Sequence, residues 1–78
     1  MIMNPVSSSH IKAIGYDETT QTMKVEYNQA TYEYASVPKD VYVQIMNADS
    51  KGRALKEAVV NNNFSYRRVW GDDYEESI

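Results

Sequence analysis

Three stretches in the first half of the chain alternate apolar and polar residues at period two, the pattern of a half-buried strand. His10 to Tyr16 sets Ile11 and Ala13 on one side and His10, Lys12, Ile14 and Tyr16 on the other; the polar run through Gln21 closes it in a turn. Thr22 to Tyr27 alternates cleanly, with Met23, Val25 and Tyr27 against Thr22, Lys24 and Glu26. Ala30 to Ala35 repeats the pattern, with Tyr32 and Tyr34 opposite Thr31 and Glu33. Asn28-Gln29 fits a tight reversal between the last two, because Asn tolerates positive φ better than other residues that carry a side chain. Sequential strands on short connections predict an antiparallel meander with one solvated face.

The period then lengthens to that of a helix. Proline is favoured at the first helical position, so Ser36-Val37-Pro38 marks a start. Val41, Tyr42, Ile45, Met46 and Ala48 make the apolar stripe, and Lys39, Asp40, Gln44 and Asn47 face away. Asp49-Ser50 offers N-caps for a second helix, whose stripe is Leu55, Ala58 and Val59 and which Asn61-Asn62-Asn63 stops. Phe64 to Trp70 is a candidate short last strand, with Phe64, Tyr66, Arg68 and Trp70 on one side. The predicted fold class is α+β: a three-stranded antiparallel meander, two helices packed on one face, and that short last strand. Residues 1–9 read as an N-terminal arm, 10–70 as the domain and 71–78 as an acidic mobile tail.

Composition sharpens this picture. A chain of 78 residues makes one domain with a small core, and without cysteine neither disulfides nor thiolate metal ligands supplement it. Homo-oligomerisation is the expected aid. No apolar run exceeds three residues, which excludes a membrane-spanning helix or a signal-peptide core and sets the expected compartment as cytoplasmic. The formal charge of −3 belongs to the tail: residues 1–70 hold all eight basic side chains and seven acids, and Asp72, Asp73, Glu75 and Glu76 supply the rest. At +1 the domain has too few cations for duplex DNA or a long polymer, and enough for one small phosphate-bearing ligand.

Catalytic chemistry finds little support. One histidine leaves mostly carboxylates for a metal, and the tail cluster lacks the spacing of a calcium loop; no metal or cofactor is expected. Ser7-Ser8-Ser9-His10 puts hydroxyls beside the imidazole, but neighbours in an extended segment point to opposite faces and make no nucleophile–base pair. The three glycines are scattered and form no phosphate loop, so the protein is expected not to be an enzyme. The aromatic residues, seven of them tyrosine, carry the remaining signal. Tyr32 and Tyr34 share one strand face, and Tyr66-Arg67-Arg68-Val69-Trp70 interleaves rings with guanidiniums, a composition that suits nucleotide recognition. Core packing of the tyrosines and surface pairing of the arginines explain the same residues more plainly. Ser50-Lys51-Gly52-Arg53 adds two cations to the first turn of a predicted helix, which is an anion site by charge and free amides.

The string Val6-Ser7-Ser8-Ser9-His10-Ile11-Lys12-Ala13-Ile14-Gly15-Tyr16-Asp17 resembles the opening of the KTSC domain family. Met23-Lys24-Val25-Glu26-Tyr27, Tyr32-Glu33-Tyr34, Val37-Pro38-Lys39-Asp40-Val41-Tyr42 and Ala48-Asp49-Ser50-Lys51-Gly52 follow in the family's order. The family is named for a domain at the C-terminus of some lysyl-tRNA synthetases and also occurs as small stand-alone proteins in bacteria and phages; RNA binding is its suggested role. The chain departs from it in the shorter Asn28-Gln29 reversal, which lacks the family's glycine, and at Ala54, Leu55, Lys56 and Val60, where relatives carry two aromatics, an Asn and an Arg. The residues retained for a ligand are Ser8 and Tyr16, then Tyr32 and Tyr34, then Ser50, Lys51, Gly52 and Arg53, and finally Tyr66, Arg67 and Arg68. Together these imply a binding module for a small signalling nucleotide, which a compact oligomer of a phage-encoded protein would sequester. The alternatives are a short single-stranded RNA or tRNA ligand and a protein-interaction module acting on a host partner.

Overall fold

The three alternating stretches are strands, and one further strand flanks them on each side. The computed structural model describes residues 1–71. Its elements in order are β1 (Met3–Pro5), β2 (Ile11–Asp17), β3 (Thr22–Tyr27), β4 (Ala30–Tyr34), α1 (Lys39–Asn47), α2 (Lys51–Asn62) and β5 (Tyr66–Gly71). The strands form one antiparallel sheet in the order β1-β2-β3-β4-β5, so the two helices bridge the adjacent strands β4 and β5. The α+β class stands: the meander is β2-β3-β4, the expected last strand is β5, and β1 is the addition that makes the sheet five-stranded. The expected N-terminal arm contains β1; Pro5 is tolerated there because β1 is an edge strand. Gly71, assigned to the tail, closes β5 opposite Ala30, and residues 72–78 of the expected tail lie outside the described residues.

Two β-bulges reset which side chains share a face. Between Ile11 and Ala13 the register with β3 shifts, so that Ile11 pairs with Tyr27, Ala13 with Glu26 and Ile14 with Val25. Lys12 is the extra residue, and Ile11 joins Ile14 in the core instead of Ala13. The same device sits in β5: Arg68 pairs with Tyr32 but Trp70 pairs with Thr31, with Val69 inserted. Tyr66 and Arg68 therefore face the helices, and Trp70 is turned to the opposite side, where the period-two reading had placed all three together.

The core lies between the sheet and the helices. Ile14, Met23 and Val25 from the sheet are fully buried with Val37, Ile45 and Leu55, and Tyr34 completes the cluster. Val41, Tyr42 and Met46 on α1, and Ala58 and Val59 on α2, pack against it, as their spacing predicts. Pro38 is the N-cap of α1 rather than its first residue; its extended backbone turns its carbonyl toward the amides of Val41 and Tyr42. Ser50 caps α2, its Oγ accepting from the Arg53 amide at 3.4 Å, and Asn63 ends that helix in the left-handed conformation. Gln21 and Ser36 also have positive φ, whereas Asn28 does not. Asn28 instead ties its hairpin to the start of β2, its amide donating to the His10 carbonyl at 3.1 Å and its Nδ2 to the Ser9 carbonyl at 2.8 Å. Gly15 lies inside β2, not in a turn: a Cβ there would meet Met3 Sδ at 2.6 Å and the Ile2 carbonyl oxygen at 2.9 Å, so its absence lets the β1 segment close on the sheet.

Leu55 is the helix side chain committed most fully to this core. Leu55→Ala is expected to destabilise the protein by about 2–5 kcal/mol in chemical denaturation. Val43→Ala, on the exposed side of α1, should change stability by no more than about 0.5 kcal/mol.

Candidate functional site

Four tyrosines from three strands meet on the helix-bearing face. The β-ladder sets Tyr34 opposite Tyr66, and the alternation within β4 sets Tyr32 beside Tyr34. Tyr32 stacks on Tyr66 with centroids 5.5 Å apart and planes 21° from parallel, and Tyr27 meets Tyr32 edge-on at 5.7 Å. The hydroxyls of Tyr27 and Tyr34 share a hydrogen bond of 2.9 Å. Exposure grades across the cluster: Tyr34 is 5% exposed and Tyr66 is 61% exposed. Core and contact surface are thus two ends of one aromatic cluster, and the tyrosines divide between the two roles.

Beside this cluster, α2 and the start of β2 leave a groove of about 480 Å³. Tyr27 and Tyr34 form its aromatic wall, and Ile11, Leu55 and Val59 its apolar floor. His10, Arg53 and Lys56 line its edge, Gly52 lies in the first turn of α2 there, and among the described residues no carboxylate lines it. A shallower hollow continues along Tyr27, Tyr32 and Tyr34 to Gln29 and Ala30. Burial pushes the Tyr27 phenol well above its ordinary value near 10, and the bond to Tyr34 adds to that shift; burial also raises Tyr34. Both hydroxyls are therefore neutral and hydrogen-bonding throughout the physiological range.

The residues retained from the sequence fall into three groups. Tyr34, Gly52 and Arg53 come together in the groove, with Tyr32 and Tyr66 continuing it. Ser8 adjoins it, since its Oγ lies 3.6 Å from where a Cβ on Gly52 would be, and it accepts from the His10 amide at 3.3 Å. Arg68 shares the helix-bearing face by its pairing with Tyr32.

Four others are engaged elsewhere. Tyr16 stacks on Tyr42 at 4.8 Å and donates its hydroxyl to the Val37 carbonyl at 2.5 Å, holding α1 to the sheet. Ser50 is spent on its helix cap, and Lys51 Nζ donates to the Ala48 carbonyl at 3.1 Å, between the two helices. Arg67 lies on the open face, paired with Glu33 at 3.1 Å. Sequence reasoning missed His10, Tyr27 and Lys56 as groove residues. The alternation put Tyr27 with Met23 and Val25, and nothing local to His10 or Lys56 announces a groove that closes between distant elements.

With this geometry in hand, comparison with known proteins is informative. The profile of the KTSC domain matches residues 7–64. The chain belongs to the KTSC domain family. A protein of Stutzerimonas stutzeri is 32% identical over 65 residues, covering 82% of this chain and 92% of its own length. A lysine–tRNA ligase of Nostoc is 37% identical over 62 residues, covering 78% of this chain; the chain spans 11% of that enzyme's length. The crystal structure of a KTSC domain protein from Yersinia pestis is similar at a TM-score of 0.79 and 36% identity, covering 87% of this chain and 96% of that one. The KTSC match includes every residue that lines the groove and stops before β5. Among the described residues no helix is long and apolar enough to cross a membrane, and no three metal-ligating side chains cluster.

The two buried phenols have a consequence for pH dependence. A phenol whose folded pKa exceeds its unfolded value near 10 adds stability that is complete below pH 10 and is lost as pH rises above it. Unfolding free energy should therefore fall above pH 10, by up to about 1.4 kcal/mol per pH unit for each such phenol. Chemical denaturation from pH 8 to 11 measures this fall, and Tyr27→Phe should flatten the profile.

Proposed function

We propose that this KTSC domain binds a small nucleotide-type ligand in the groove between α2 and the tyrosine cluster. The observation that carries the reading is the juxtaposition in one groove of an aromatic wall, an edge with Arg53 and Lys56 and, among the described residues, no lining carboxylate. A base has π-faces that stack on phenol rings, and a phosphate needs cationic or amide donors. The start of α2 supplies both kinds of donor to one end of the groove, with its N-terminal amides and the Arg53 side chain. Arg53 now pairs with Glu57 at 3.3 Å with 79% of its side chain exposed, so turning it toward a ligand breaks only a weak surface pair. The reading is one of recognition without catalysis.

A short single-stranded RNA is the second reading. Tyr66, stacked on Tyr32 beyond the groove, offers a further ring for a second base, and the likeness to segments of lysine–tRNA ligases supports it.

Heating the purified protein and examining the released small molecules by mass spectrometry tests the reading directly, with thermal shifts against cyclic and linear nucleotides and short RNAs. No released nucleotide, no shift and no RNA retention would overturn it. Arg53→Ala is expected to weaken binding at least tenfold while leaving the melting temperature nearly unchanged, since an exposed pair contributes about 0.5 kcal/mol or less. Tyr66→Ala should leave mononucleotide binding nearly intact and weaken a short RNA by about 1–3 kcal/mol, separating the two ligands.

A further inference from the structure

The two edges of the sheet are unlike each other. β1 has three residues and ends in Pro5, which has no amide hydrogen for a further strand. β5 has six residues and no proline, and among the described residues no strand lies beyond it in the sheet. Of the large hydrophobic side chains that are exposed among the described residues, half lie on β5: Tyr66, Val69 and Trp70. An open edge with apolar side chains is a template for another strand.

We propose that β5 pairs antiparallel with β5 of a second copy, joining two sheets into one of ten strands with the helices of both on one side. The bulge selects the register. Side chains opposite one another must lie on the same face. A two-fold axis at Arg68 would set Tyr66 against Trp70, which Val69 has turned to the other face. An axis at Arg67 sets Tyr66 against Arg68, both on the helix-bearing face. Each Tyr66 ring then lies opposite the guanidinium of the other copy's Arg68, so this part of the strand is chemically complementary to itself. Arg67 meets its own copy across the axis, and in each chain Glu33 neutralises it at 3.1 Å. The blunt β1 edge stops β5 from adding to it in a next copy, so the assembly closes at two chains instead of growing into a fibre. The stacked Tyr32–Tyr66 pairs of the two copies come side by side at this seam, so each groove is extended by the other copy. The dimer itself does not rest on the nucleotide reading.

Light scattering on the full chain is expected to give twice the single-chain mass of 9.0 kDa. Tyr66→Lys, a charge on an exposed side chain set opposite the other copy's Arg68, should return the single-chain mass with the far-UV spectrum retained. The absence of cysteine allows a second measurement that does not depend on that variant. Arg67→Cys places two thiols at the axis, where cross-strand Cα separations of about 4.5–5.5 Å fall within the disulfide range. Mild oxidation should cross-link Arg67→Cys into a covalent dimer and leave Asn4→Cys, on β1, as single chains. A single-chain mass at every concentration would leave the edge to a strand from another protein and overturn the proposal. A dimer that survives Tyr66→Lys, or cross-linking faster at position 4 than at 67, would overturn it equally.

Discussion

The structure depends on a shortage of cover. Five strands spaced about 4.8 Å apart make a sheet about 24 Å wide, and two helices of about 10 Å diameter cover about 20 Å of it. The helices are anchored by Leu55 and Ile45 on the aliphatic side chains Ile11, Ile14, Met23 and Val25 of β2 and β3. What remains, toward β4 and β5, is closed by tyrosines that pack on one another. Phenol rings suit this place because one end is apolar and the other can meet water or a partner hydroxyl. The groove follows from the same shortage: it is the seam where helical cover ends and aromatic cover begins.

Charge is divided by the sheet in a way the total conceals. On the open face the register sets Lys24 opposite Glu33 and Glu33 opposite Arg67, a row in which opposite signs alternate across three strands. That face compensates its own charge. The helix-bearing face sets Arg53, Lys56 and His10 along a groove that no carboxylate lines among the described residues, with Arg53 paired to Glu57 beside it. Local charge on the two faces therefore differs in a way the net charge does not report.

The comparisons fit this division of the chain. The KTSC match covers the helices, the hairpin and every groove-lining residue, whereas β1 and β5 fall outside it. The part matched by the family model therefore contains the whole groove. A segment that makes up 11% of a ligase and also spans 92% of a small Stutzerimonas stutzeri protein is a portable unit. Portability suits a groove built within one domain.

Local order was legible in the residues. Period two marked β2, β3 and β4, the 3.6 period marked both helices, and Ser50 and Asn61 to Asn63 bounded α2, because each of these rests on interactions within a few residues. The pairing of Tyr32 with Tyr34 on one face was equally local. The tertiary structure alone decided the rest. A bulge is a mismatch between two strands, so nothing in β2 alone tells that Lys12 is the extra residue, nor in β5 that Val69 is. β1 is a strand only because Gly15 lets it close on β2. The groove likewise joins residues from His10 to Val59. The sequence by itself determined β2, β3, β4 and the two helices, since side-chain period and backbone capping are local. Which of their faces look at one another, and hence which tyrosines are core and which are exposed, was decided by long-range register and packing.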